Sequence, residues 1–220
     1  NTTTLFSPQM GKGTRMAVFK RSRTRRENNV SNIVKSILLS RAEHKYRSET
    51  HATASTSSAA GSVHALTQPI TEGDEVDQRS GRQIHHIRTE VRISANLPSA
   101  AISGVLRYIW VIDRMNTGTT LAVTDLLDSA SVTSGYATNA LMYNRFIILA
   151  DRVQSMVVAS TTQHITPVLV STRSYNILYG GATNAAASNG SGAQFLVVLT
   201  DLGANQPIYS VECLTRYTDM

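Results

Sequence analysis

The sequence has a single cysteine, Cys213, so neither an internal disulfide nor a cysteine-based zinc site is open to it. No stretch approaches the roughly 18 consecutive apolar residues of a membrane-crossing helix. The amino-terminal stretch is polar and then basic, without the apolar segment of a secretory signal. The signatures of catalysis are missing as well. There is no HExxH and no GxSxG, and the turns Gly180-Gly181 and Gly190-Ser191-Gly192 lack the lysine of a phosphate-binding loop. His85 and His86, adjacent in a predicted strand, would point to opposite faces and cannot share one metal ion. No catalytic residue is assigned. These absences predict a soluble structural or binding protein with no membrane partner and no small-molecule substrate.

Lysine is absent from the last 170 of the 220 residues. All four lysines lie in the first fifty positions, where Lys12, Arg15, Lys20, Arg21, Arg23, Arg25, Arg26, Lys35, Arg41, Lys45 and Arg47 face only Glu27, Glu43 and Glu49. That arm carries +8, and the rest of the chain, with ten basic and twelve acidic side chains, carries −2. A slightly acidic body with one concentrated basic tail implies a polyanion held by the tail. Nucleic acid is favoured over a membrane surface because no amphipathic apolar face or lipidation signal accompanies the tract. The eleven basic residues are therefore the candidate RNA-binding set. Residues 1–29 offer little that can pack and are expected to be disordered when unbound.

Within the arm, Ser31 can cap a short helix over about 31–42, with Val30, Ile33, Val34, Ile37 and Leu38 sharing one arc. A lone helix of this length is marginal in water and needs neighbours or a ligand. Residues 1–50 are thus read as the arm, 51–61 as a Ser/Thr/Ala-rich connector, and 62–220 as one folded domain. In that domain, turn-rich links separate strand candidates at 62–67, 83–95, 103–113, 143–150, 152–159, 165–172, 193–201 and 207–217. Ile87, Thr89, Val91 and Ile93 alternate with Arg88, Glu90 and Arg92, which predicts a half-buried strand. Leu106–Ile112 is apolar on both faces and predicts a central strand; a short helix is expected near 121–128. The fold class is all-β: an eight-stranded sandwich of jelly-roll type, preceded by a basic arm containing a short helix.

Glu72, Asp74, Glu75 and Asp77 place four acids in six residues, a self-repelling loop that a cation or a basic partner would relieve. Its oxygens suit Ca2+, although the spacing is not that of an EF-hand, and on composition a plain solvated loop is the simpler reading.

From this loop onward the residues are recognisable. Gly73-Asp74-Glu75-Val76-Asp77-Gln78-Arg79-Ser80-Gly81 with Gln83 resembles the coat proteins of the satellite tobacco necrosis virus family. So do Arg107-Tyr108-Ile109-Trp110 with Asp113, Met115-Asn116 with Gly118-Thr119-Thr120, and Arg145–Leu149 with Asp151. Gly181-Ala182-Thr183, Ala186–Gly190, Gly192-Ala193, Phe195 and Tyr217-Thr218-Asp219 continue the resemblance, and Glu43-His44-Lys45 matches the end of the family's arm. The resemblance implies a homo-oligomer of about 60 copies, an icosahedral virion shell around a single-stranded RNA genome. It also implies Ca2+ between subunits. One site would use backbone oxygens of Ser80 and Gln83, the Asp219 carboxylate and Glu43 of a neighbour; another would gather copies of Asp74. A further family site falls near Ala159–Thr161, where the loop match is poor. The competing readings are a non-capsid RNA-binding protein with a β-domain and a basic tail, and a sugar-binding or enzymatic jelly roll. The first would place aromatics beside a basic patch on its strands. The arm holds only Phe6, Phe19 and Tyr46, and the strands show no matching patch in sequence.

Overall fold

The computed structural model describes residues 43–98, 100–101, 103–137, 144–157, 164–165 and 168–219, with 30, 32–34 and 37 upstream. The chain divides into two compact units, Asn1–Ala42 and Glu43–Met220. In the first, residues 30, 32–34 and 37 are helical, and the apolar arc Val30, Ile33, Val34 and Ile37 is exposed. The remainder of the predicted helix and of the basic tract lies outside the described residues.

Among its described residues the second unit has ten strands: β1 His44–Thr56, β2 Ser62–Ala65, β3 Gln83–Asn96, β4 Ser103–Asp113, β5 Phe146–Val157, β6 His164–Ile165, β7 Leu169–Ser171, β8 Tyr175–Leu178, β9 Ala193–Thr200 and β10 Ile208–Asp219. One sheet runs β1-β10-β3, with β6, β7 and β8 pairing in turn along the outer edge of β3; the other runs β2-β9-β4-β5. Every pairing between these strands is antiparallel. Counting the three short pieces as one interrupted strand gives two four-stranded sheets in jelly-roll order.

The predicted boundary is corrected. Strand β1 crosses the stretch read as a connector, so the folded unit begins at Glu43 and not at residue 62. The candidates 143–150 and 152–159 are one strand, β5, and 165–172 is interrupted. In β3 a register shift at Arg216/Tyr217 moves Ile87 out of line with Thr89. Ile84 and His86 point inward in its place.

Strands β4 and β9 are apolar on both faces because both faces are covered. Between the sheets lie Val91, Ile93, Leu106, Trp110, Leu196, Val211 and Cys213. On the far side, Ile109, Val111, Phe195 and Val197 pack under Leu121, Val123 and Leu126 of the loop carrying α1, Val123–Leu126. Each such side chain contributes about 1.5–3 kcal/mol by leaving water. A third cluster, Ile70, Ile84, Ile177, Tyr179 and Tyr217, lies beside the acidic loop and supports it from within.

Two buried polar groups on β4 are matched by partners. Trp110 Nε1 donates to Gln194 Oε1 at 3.1 Å. The wholly buried Asp113 accepts from Arg145 Nη2 at 2.8 Å, from Asn116 Nδ2 at 3.2 Å and from the backbone of Met115 at 3.0 Å. Asn116 Oδ1 in turn receives the N–H groups of Gly118 and Thr119, a turn that needs the positive φ of Gly118.

His86 is fully buried, with Nδ1 2.7 Å from the Arg173 carbonyl and Nε2 2.7 Å from Thr89 Oγ1. The carbonyl can only accept, so Nδ1 carries the proton. Burial pushes the His86 pKa down from 6.5 to about 4. Because the folded value lies below the unfolded one, its stabilisation is intact above pH 6.5 and is lost as pH falls toward 4. The loss amounts to about 3 kcal/mol. Thermal melting of the protein between pH 7 and 4 should show this decline, and His86→Gln should lessen it, the remainder coming from His51, which burial also pushes down to about 4.

Candidate functional site

Strands β1 and β10 pair with His44 opposite Thr218 and Lys45 opposite Tyr217. That register brings Glu43, just before the first strand, to the same corner as Asp219, at the end of the last. The loop before β3 delivers Ser80 there as well. Ser80 Oγ donates to Asp219 Oδ2 at 2.8 Å, and Lys45 Nζ, buried within the corner, donates to the same oxygen at 2.8 Å. Lys45 Nζ is also 3.4 Å from Ser80 Oγ and 4.0 Å from Glu43 Oε2.

The hydrogen bond to Asp219 raises the Lys45 pKa against burial, with Glu43 and Asp74 adding to the rise. Burial pushes the Asp219 carboxyl up, but Lys45 and Ser80 outweigh it and hold the group below the usual carboxylate range. Asp219 Oδ1 remains buried with no hydrogen-bond partner among the described residues. Three predicted metal ligands, Glu43, Ser80 and Asp219, are thus gathered around one ammonium. Gln83 opens β3 opposite Leu178, and Asp74 is exposed on the loop.

The acidic loop is partly neutralised from inside the domain. Arg79, fully buried, pairs with Glu72 at 3.2 Å, and Arg47 pairs with Asp77 and with Glu49. Glu72 and Asp77 are therefore spoken for, whereas Asp74 and Glu75 enter no salt bridge among the described residues.

This arrangement corrects the RNA-binding set. Lys45 and Arg47 do not belong to a free tail: alternation in β1 turns both inward, and each is held in ion pairs within the chain. The other nine predicted contacts, Lys12, Arg15, Lys20, Arg21, Arg23, Arg25, Arg26, Lys35 and Arg41, lie outside the described residues.

The donors at the corner are hard oxygens of the kind Ca2+ takes, but Ca2+ needs six to eight of them. Among the described residues no group of three or more acidic, histidine or cysteine side chains is placed to hold a metal ion. A cation site here would need oxygens from a second chain. The loop near Ala159–Thr161 lies outside the described residues.

The structure also assembles a feature that linear reading dispersed. Tyr46 on β1 lies opposite Arg216 on β10, which lies opposite Arg88 on β3. All three occupy the sheet face turned away from the core, with Arg92 four residues further along β3. The strands thus do carry a basic patch beside an aromatic. The signal that could have found it is the alternation that puts Arg88 and Arg92 opposite Thr89 and Val91.

The second unit is thus a two-sheet jelly roll whose first and last strands meet at one corner. The family model described as "Satellite tobacco necrosis virus coat protein" matches residues 17–220. The coat protein of Maize white line mosaic Satellite virus is 35% identical over 201 residues, covering 91% of this chain and 92% of that protein. The coat protein of Satellite tobacco necrosis virus 2 is 35% identical over 202 residues, covering 91% and 98%. The capsid protein of Satellite tobacco necrosis virus 1 is 32% identical over 182 residues, covering 83% and 90%. The chain belongs to the satellite tobacco necrosis virus coat protein family. Its role is structural, in the virion, and not enzymatic.

Proposed function

We propose that this coat protein closes into an icosahedral shell of about 60 copies. It packages single-stranded RNA through the arm upstream of Glu43, with Ca2+ at contacts between subunits. The observation that carries this reading is the division of charge. With the boundary redrawn at Ala42, residues 1–42 hold nine basic side chains and one acid, still +8, and the folded unit stays at −2. Some 60 arms then bring about 480 positive charges to an RNA with one negative charge per nucleotide. The slightly acidic shell does not compete. The exposed arc Val30, Ile33, Val34 and Ile37 supports arm helices that bury it against one another in the shell.

Calcium is assigned to the Glu43–Asp219 corner because acids there outnumber the cation that one chain brings. Glu43, Asp74 and Asp219 all act on the one Lys45 ammonium, and Asp219 Oδ1 lacks a hydrogen-bond partner among the described residues. Backbone oxygens of Ser80 and Gln83 and a Glu43 from the adjacent copy would complete one site. Copies of Asp74 around a symmetry axis would form the other, since like carboxylates repel until a cation lies between them.

Sedimentation and electron microscopy, with and without nuclease and chelator, test the assembly. Uniform shells with nuclease-protected RNA are expected, and soluble monomers would overturn the reading. For calcium, shells should melt at lower temperature in chelator, each site contributing about 2.7 kcal/mol when free ion is 100 times its Kd. Asp219→Asn also strands the Lys45 ammonium, so its shells melt lower in both conditions. The diagnostic is the shrinking difference between the two, in Asp219→Asn and in Asp74→Asn alike. An undiminished chelator response in both variants removes the calcium assignment.

A further inference from the structure

On the outer face of the β1-β10-β3 sheet, an open groove of about 630 Å³ is lined by His44, Lys45, Tyr46, Ile87, Leu214 and Arg216. Its walls are mainly apolar, yet Tyr46 stands 54% exposed at its edge. Arg216 faces Tyr46 across one strand pair and Arg88 across the next. Like charges set directly opposite on antiparallel strands repel, and a sheet keeps such a pair only at a cost. Arg88 is partly relieved by Glu90 at 2.9 Å, whereas Arg216 forms no ion pair among the described residues. The cationic surplus is local: two rows further along the same face, Glu212 lies opposite Arg92 and the charges balance.

We propose that this groove is a second RNA contact, which holds one unpaired nucleotide of a single strand. The base stacks on the Tyr46 ring over Ile87 and Leu214, and the adjoining phosphate bridges Arg216 and Arg88. Tyr46 and Arg216 spring from neighbouring strands, about 4.8 Å apart, so one nucleotide can reach both. An anion over Arg216 and Arg88 removes the repulsion that the bare sheet tolerates. An aromatic platform beside paired cations is the chemistry of sequence-tolerant single-strand binding. The contact rests on the packaging reading and adds to it a point on the shell wall, downstream of the arm, where RNA is held in register.

The test uses full-length protein bound to oligouridylate carrying 4-thiouridine, irradiated, with the adducts mapped by mass spectrometry. An adduct at Tyr46 is expected beside those in the arm. Tyr46→Ala should cut the yield at that peptide about tenfold or more and leave the arm adducts unchanged, whereas Tyr46→Phe keeps the adduct. Arg216→Gln should shallow the salt dependence of binding by about 0.7 in log K against log salt, one single-strand phosphate contact. These side chains are exposed and Tyr46→Phe keeps the ring, so unfolding does not confound the comparison. Adducts confined to the arm overturn the groove and leave packaging standing, and so does attachment of Tyr46 to another protein chain. Absence of adducts anywhere overturns both.

Discussion

Removal of residues 1–30 is expected to strip the particle of most of its RNA while leaving the sandwich folded. The deletion takes Lys12, Arg15, Lys20, Arg21, Arg23, Arg25 and Arg26, seven of the arm's nine basic residues, together with one acid, Glu27. If each cation meets one phosphate, the intact arm gives a slope of about −6 in log K against log salt, and the truncated arm about −1.4. Raising salt from 50 to 200 mM should then cost the full chain about 10⁴ in affinity for single-stranded RNA and the truncated chain, which keeps the Arg216 contact, roughly twentyfold. The folded unit should melt at an unchanged temperature, because its core clusters draw only on residues from Ala52 onward. Absorbance ratios of purified particles, nuclease protection and binding isotherms at several salt concentrations measure these quantities. Equal RNA content in truncated and full-length particles would show that packaging does not depend on this tract.

How much of this was legible in the sequence depended on whether a residue's partners were near in pattern. Strand β4 was read with both ends correct, since Leu106–Ile112 is apolar on both faces and lies between β9 and β5 under two cores. Strand β1 falls across the sequence boundary, its first half within the predicted arm and its second half within the predicted connector. It pairs in the ladder only with β10, and it contributes little apolar bulk to the core beyond Ala52, so small residues suffice and the composition looks like a linker. The apparent break at Asp151-Arg152 was misleading for another reason. Asp151 lies opposite Ile109 but accepts from Arg107 Nε at 2.9 Å and from Tyr136 at 2.6 Å, so a charged residue continues β5 without interruption. At the candidate site the types of ligand were legible, and their meeting was not. Glu43 and Asp219 stand at opposite ends of the folded unit and come together only through the β1–β10 register. Lys45 was counted as one more cation of the tail, although its alternation with His44 and Tyr46 already turned it the other way.

Arg79→Met is expected to be the most damaging single substitution at this corner, costing about 3–5 kcal/mol. For a unit of this size that lowers the melting temperature by roughly 10 °C or more. The guanidinium is fully buried and none of its nitrogens is idle. Nε donates to the Ile70 carbonyl at 3.1 Å, Nη1 donates to the Gly81 carbonyl and to Glu72, and Nη2 donates to the Gly181 carbonyl. The plane also lies 4.2 Å from the centre of the Tyr179 ring. One side chain thus ties together both ends of the acidic loop and the turn after β8. Two effects could dominate, the ion pair with Glu72 or the hydrogen bonds to three carbonyls, and two variants separate them. Glu72 is 39% exposed, so Glu72→Gln removes a screened pair worth at most about 1 kcal/mol. Arg79→Lys keeps the charge but loses the planar fork, and one ammonium cannot serve carbonyls on three sides. It should recover only a minor part of the loss. The carbonyls left without donors, not the missing charge, therefore set the cost. Urea unfolding of dissociated subunits, followed by the fluorescence of the sole tryptophan, buried Trp110, measures all three variants. If Glu72→Gln proves as damaging as Arg79→Met, the ion pair and not the carbonyl clamp holds the loop. With the clamp gone the loop loses its fixed path, so the chelator response that depends on Asp74 should fall in Arg79→Met shells although no predicted calcium ligand has been changed.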